Sequence, residues 1–272
     1  MKRFAIALLA VTSLSVGSQI ASAADLPVRG PVYKAPVVAP VSDWTGFYVG
    51  GSLGGRWNST DWTTDNIDDP PVPGHLDNNP HKFDPASFRA GGYLGYNWQL
   101  NSAWVVGLEG DLAWANNNAS IVGIPATAFV GPAADSAGIK DTWDGGIRGR
   151  VGYLVAPTLM LFATGGVSWL HSEAFAHCGN PSSWCAGVNE ATARTDTASK
   201  NLVGWTLGGG LETMLTRNWL VRGEYRYSQY DSFSVSLLNG GSSNGSGNTD
   251  HVGATIGDHH THTALLGIAY KW

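Results

Sequence analysis

Eight stretches of this chain alternate large apolar residues with polar or small ones at a period of two. Long and short connections alternate strictly between them. The stretches are 47–57, 89–100, 103–115, 142–155, 158–170, 202–215, 218–230 and 262–272. In the first, Phe47, Val49, Leu53 and Trp57 share one face, with Tyr48, Gly50, Ser52, Gly54 and Arg56 on the other. In 218–230, Trp219, Val221, Tyr225 and Tyr227 oppose Arg222, Glu224 and Arg226. A period of two is that of strands with unlike faces. Three connections are tight, at 99–103, 155–158 and 215–218; four are long and polar, at 57–88, 115–141, 170–201 and 231–261. Structureless loops of that length are unusual in a compact soluble domain. An even number of strands with turns at one end and loops at the other instead predicts an all-β fold. It is an eight-stranded antiparallel up-and-down transmembrane barrel, with short periplasmic turns and four long extracellular loops.

Dimensions agree with that reading. Trp104 and Trp114 lie on one face, ten residues apart. With ~3.3 Å per residue and a strand tilt near 40°, they stand about 25 Å apart along the membrane normal, the height of the apolar band in such barrels. Of the 12 tryptophans, Trp57, Trp98, Trp104, Trp114, Trp143, Trp169, Trp205, Trp219 and Trp272 fall near strand ends on the apolar face, where an aromatic girdle belongs. A soluble β-sandwich is the rival; its aromatics should gather mid-strand, and its long loops would go unexplained.

The chain begins Met1-Lys2-Arg3, continues with an apolar run to about Leu14 and reaches Ala21-Ser22-Ala23. That order of basic, apolar and small residues predicts a secretory signal peptide over 1–23, cut so that Ala24-Asp25 begins the mature chain. Residues 24–43 hold four prolines and read as an extended spacer. The barrel is assigned to 44–272. No later apolar run is long enough for a spanning helix. The formal charge is −5, and loss of Lys2 and Arg3 makes the mature chain more negative. No basic patch or motif for nucleic acid is present.

The faces turned from lipid carry Arg56, Arg89, Arg148, Arg150, Arg222, Arg226 and Lys271 with Glu109, Asp111, Asp144, Glu212 and Glu224. Eight strands leave a lumen just wide enough for side chains to fill. These charges are therefore expected to pair as an ionic plug, with Gly50, Ser52 and Gly54 leaving room for them. No open porin channel is expected. Cys178 and Cys185, seven positions apart in an exported chain, suggest one loop-closing disulfide. His171-Ser172-Glu173 has the residue types of a hydrolase, but neighbours on a strand point to opposite faces, so no enzyme is expected. Asp258, His259, His260 and His262 offer metal or haem-iron ligands, with His259 and His260 the candidates. Their adjacency favours a polar segment entering the last strand, and no cofactor is assigned. Asp61, Asp65, Asp68, Asp69, Asp77 and Asp84 make the first loop acidic, either simply solvated or bridged to lipopolysaccharide by divalent cations.

The segments "DWTGFYVGGSLGG", "GGYLGYNWQ", "VVGLEGDL", "GGIRGRVGY", "LFATGGVSW", "GWTLGGGLE", "NWLVRGEYRY" and "HTALLGIAYKW" resemble the alphaproteobacterial small outer-membrane β-barrel proteins. These are porin-like surface antigens related to the transmembrane domain of OmpA, and the resemblance covers about 43–272. It implies location in the outer membrane, surface exposure, support of envelope integrity and assembly by the outer-membrane insertion machinery. The implied partners are outer-membrane lipids, lipopolysaccharide, and host or environmental ligands at the loops. It also implies that Ala24-Asp25 is a candidate for linkage to peptidoglycan, which a twenty-residue spacer reaching up to about 60 Å would serve. Haemin or small-solute transport is the alternative implied by relatives, and a lipid-modifying enzyme a further one. Trp272 stands where these chains commonly end in phenylalanine.

Overall fold

The computed structural model describes residues 43–67, 79–125, 135–179, 193–242 and 249–272. Ten strands are described: β1 (Gly46–Ile67), β2 (His81–Phe83), β3 (Ala86–Gln99), β4 (Trp104–Val122), β5 (Ser136–Ala156), β6 (Leu159–Cys178), β7 (Arg194–Met214), β8 (Trp219–Tyr230), β9 (Phe233–Ser242) and β10 (Thr249–Lys271). Each pairs antiparallel with its neighbours, and β1 pairs with β10, so β1, β3, β4, β5, β6, β7, β8 and β10 close into an eight-membered ring. The β1–β10 pairing runs from Tyr48 opposite Lys271 to Ile67 opposite Val252, with register shifts at Ser59/Asp61 and Thr64/Asn66. A closed ring leaves no unpaired sheet edge, the condition for crossing hydrocarbon.

The two further strands arise from breaks rather than from extra crossings. β2 and β3 are one path interrupted at Asp84 and Pro85, both facing β1. Proline has no N–H to give the ladder, and the Pro85 carbonyl instead accepts from the Asn58 N–H at 3.0 Å. β8 and β9 are likewise one path interrupted at Asp231 and Ser232, both facing β10. Opposite that break, Asp258 takes a left-handed φ of 46°.

The strands run well past the expected boundaries at the loop end. Segments 57–88, 115–141, 170–201 and 231–261 contain paired strand, not loop alone. The side-chain pattern inverts there. On β6, Leu161, Val167 and Trp169 face outward as far as Trp169. Beyond it the outward residues are His171, Glu173, Phe175 and His177, while Leu170, Ala174, Ala176 and Cys178 are buried inside. The ring also parts at this level. β3 pairs with β4 only as far as Arg89–Ala115, and β7 with β8 only as far as Gly204–Tyr230. Two sheets remain, β4 to β7 on one side and β2, β1, β10 and β9 on the other. Trp62, Phe83, Ile139, Leu170, Leu202, Phe233, Leu237 and Ile256 pack between them. The turn end has its own apolar floor of Trp44, Tyr48, Tyr93, Val105, Met160, Phe162, Met214 and Leu220. Most of the inward charge therefore lies in the middle, and the long outer reach of the barrel is a small sandwich.

Candidate functional site in the barrel lumen

Between the apolar floor and the sandwich core lies a layer of buried charge. Arg222 on β8 bonds both oxygens of Glu109 on β4, at 3.1 Å for Nη2 to Oε1 and with a second contact from Nη1. Arg226 on β8 reaches Asp111 on β4 at 3.0 Å. In a ring of eight, β4 and β8 stand four places apart, directly across the barrel, so these pairs span its whole width. Two lateral groups complete the layer. Arg56 on β1 and Arg89 on β3 both meet Asp144 on β5, at 2.7 and 2.5 Å, and Arg89 also reaches Asp111 at 2.7 Å. Arg148 donates to Glu109 at 2.8 Å and to Asp111, and Arg150 lies 3.3 Å from Glu212. Arg226 and Arg222 lie 3.0 and 3.4 Å from Glu224.

Flat faces hold the guanidinium groups in place. The Arg222 guanidinium lies 3.7 Å from the Tyr93 ring centroid, and that of Arg150 lies 4.5 Å from Phe162. The Tyr48 hydroxyl donates to Glu109 at 3.0 Å and accepts from Arg150 at 3.2 Å. The glycines opposite serve a purpose other than the one expected. A Cβ on Gly50 would lie 2.6 Å from Tyr93 Cζ, and one on Gly54 would strike the Ala264 carbonyl oxygen of β10. Gly50 thus makes room for the ring on which Arg222 stacks, and Gly54 permits close approach of neighbouring backbone.

Lys271 stands apart from these charges. It is buried at the turn end, where its Nζ donates to the Thr45 carbonyl at 3.1 Å. In its place the layer includes Asp141, which the sequence pattern hides. A bulge between Asp141 and Asp144 inserts one residue into β5, so that Asp141 turns inward although its phase from Ile147 points it outward. Its carbonyl accepts from Arg56 at 2.8 Å, its carboxylate accepts from the Asn58 amide, and His259 Nε2 lies 3.2 Å from Oδ2. Burial alone would raise the Asp141 pKa; His259, the hydrogen bonds to the carboxylate and Arg56 outweigh it and hold the group below its ordinary value. Arg56, Arg89, Arg148, Arg150, Arg222 and Arg226 thus face Glu109, Asp111, Asp141, Asp144, Glu212 and Glu224 in equal number, which is the condition for burying so many charges.

The remaining candidates separate. His171 faces outward, stacked on Trp143 with ring centroids 5.7 Å apart, and bonded to Asn201. Ser172 is buried beside Asp141, its register partner, so the two neighbours occupy opposite faces. His259 points inward and His260 outward. Among the described residues no group of three or more His, Cys, Asp or Glu is placed to hold a metal. Cys178 is disulfide-bonded; Cys185, the signal segment, the spacer, Ala24 and Asp25 lie outside the described residues.

Outside the lumen the wall is apolar, bounded by aromatics. Trp98, Trp104, Tyr153, Trp219, Tyr270 and Trp272 encircle the turn end, and Trp57, Trp114, Trp143, Trp169, Trp205 and Tyr227 the loop end. A closed antiparallel ring with an apolar exterior, aromatic belts and a charged lumen defines a transmembrane β-barrel. The chain belongs to the family described as outer membrane protein beta-barrel domain, which matches residues 6–271. It is 32% identical over 213 residues to the 31 kDa outer-membrane immunogenic protein of Brucella melitensis, covering 76% of this chain and 80% of that one. To the 25 kDa outer-membrane immunogenic protein of Brucella abortus it is 30% identical over 259 residues, covering 94% and 92%. Among solved structures, the outer membrane protein OprG from Pseudomonas aeruginosa aligns with a TM-score of 0.45 and 13% identity, over 84% of this chain and 96% of that one. This is an outer-membrane protein.

Proposed function

We propose that the chain is a structural barrel of the cell envelope rather than a pore or an enzyme. The loop-end sandwich faces outward as a surface antigen, and the turn end faces the periplasm. The observation carrying this reading is the pair of bridges from β8 to β4, Arg222–Glu109 and Arg226–Asp111, which cross the lumen from wall to wall. A lumen filled in this way, above a floor of packed side chains, has its charge spent on itself. The names of the relatives, both immunogenic proteins of the outer membrane, support surface exposure.

The barrel anchors in outer-membrane lipid and lipopolysaccharide, and the insertion machinery assembles it. Its mature terminus at Ala24-Asp25 links to peptidoglycan through the proline-rich spacer. Residues 43–45 enter β1 at the turn end, the end this reading turns to the periplasm, where Trp44 donates to the Pro157 carbonyl at 3.1 Å. Deletion of the gene should sensitise cells to detergent and large antibiotics, with recovery on complementation. Muropeptide mass spectrometry should find an adduct on Ala24. An intact barrier in the deletion strain would reject the structural role, and muropeptides free of the adduct would reject the linkage alone.

A further inference from the structure

At the loop-end belt β10 presents two outward histidines, His260 and His262, one strand period apart. Their ring centroids are 5.9 Å apart with planes at 88°. Two imidazoles bound to one ion through Nε2, at roughly 2.1 Å each, bring their centroids to about 5–6 Å. Each ring already has its other nitrogen engaged. His260 Nδ1 lies 3.0 Å from the Asp258 carbonyl oxygen, which can only accept; Nδ1 therefore carries the proton and Nε2 the lone pair. His262 Nδ1 lies 2.5 Å from the Tyr225 hydroxyl, which can accept the same kind of bond. Fixing the tautomer and the ring plane through the distal nitrogen is how ligating histidines are held elsewhere. The Tyr227 ring lies against both, its centroid 5.2 Å from His262 and 6.1 Å from His260. Asp258 is 58% exposed beside the pair, and its carboxylate adds negative potential.

We propose that His260 and His262 form a two-histidine site for a borderline divalent transition metal of the copper, nickel or zinc class. It lies on the outer wall of the barrel at the loop-end belt, with the remaining positions filled by water. This site is independent of the lumen and of the structural role. It also differs from the pairing that adjacency in sequence suggests, since His259 faces the other way. Both rings are partly exposed, His260 at 21%, which leaves room for an ion to approach from outside.

The full chain, purified in a phosphate-free detergent, is titrated with Cu²⁺, Ni²⁺ and Zn²⁺ by calorimetry, and the copper form is read by electron paramagnetic resonance. Folding of every variant is checked by heat-modifiable gel migration. One ion per chain is expected, tightest for Cu²⁺, with hyperfine structure from two nitrogens. His262→Asn and His260→Asn should each lose the two-nitrogen signature, and H171A, which removes another outward histidine, should keep it. Unchanged stoichiometry and affinity in the H260N/H262N double variant, or no copper binding by the parent above that of this variant, would overturn the site.

Discussion

Arg222 shows how a single residue couples the layers of this molecule: its guanidinium lies on Tyr93 and bonds Glu109 across the lumen. Glu109 in turn faces Arg148 and Arg222 while accepting from Tyr48, so removing its charge leaves buried cations uncompensated. Glu109→Gln is expected to destabilise the barrel by about 3–5 kcal/mol, with Glu109→Asp falling between it and the parent. Urea unfolding in detergent, with gel migration as the folding readout, measures this. Asp141 makes a separate prediction at the loop end. Its pKa is lower folded than unfolded, so its contribution is complete above the ordinary carboxylate value of 3.8 and is lost as the pH falls below that. Hydrogen exchange of the outer strands between neutral pH and about pH 2 should show the added loss in the parent. Asp141→Asn should be less stable at neutral pH and show less of that acid dependence.

At the scale of strands, the turn-end boundaries were legible in the sequence and the loop-end boundaries were not. The reason is a change of phase and of polarity. A search for apolar-outward alternation stops at Trp169 on β6, because beyond it Leu170, Ala174 and Ala176 turn the apolar face inward. On β5 the bulge hides Asp141, and on β10 an irregular step at Asp258 moves Ile256, Ala254 and Val252 inward from the phase of Leu266. Apart from Asp141, the arginines and carboxylates of the middle layer keep the plain alternation and could be placed on the inward face from sequence. Which carboxylate each arginine meets depends on the closure of the ring, a long-range property that periodicity does not carry. The sandwich above the ring should be separable from it. Trp62→Ala, which empties a fully buried site in that core, is expected to cost the extension about 3–5 kcal/mol. Limited proteolysis should then cut the loop end while heat-modifiable migration of the membrane part is retained.

For the whole molecule, the layers stack along one axis: an apolar floor, a charged middle and an apolar sandwich, inside a wall whose polarity is reversed in the middle. This order accounts for the glycine-rich first strand. Its small inward residues admit Tyr93 and the backbone of β10, letting the narrow ring close around bulky ionic groups. Hydrocarbon outside and paired charge inside are opposite solvents for the two faces of one strand, and the period of two answers both. A filled lumen also opposes transport, because an ion would have to break the wall-to-wall bridges in order to pass. The direct test is single-channel recording of the purified, folded chain in planar bilayers, alongside an open porin. No large, stable conductance steps are expected from the intact chain. Uniform porin-sized steps in the parent protein would contradict a filled lumen.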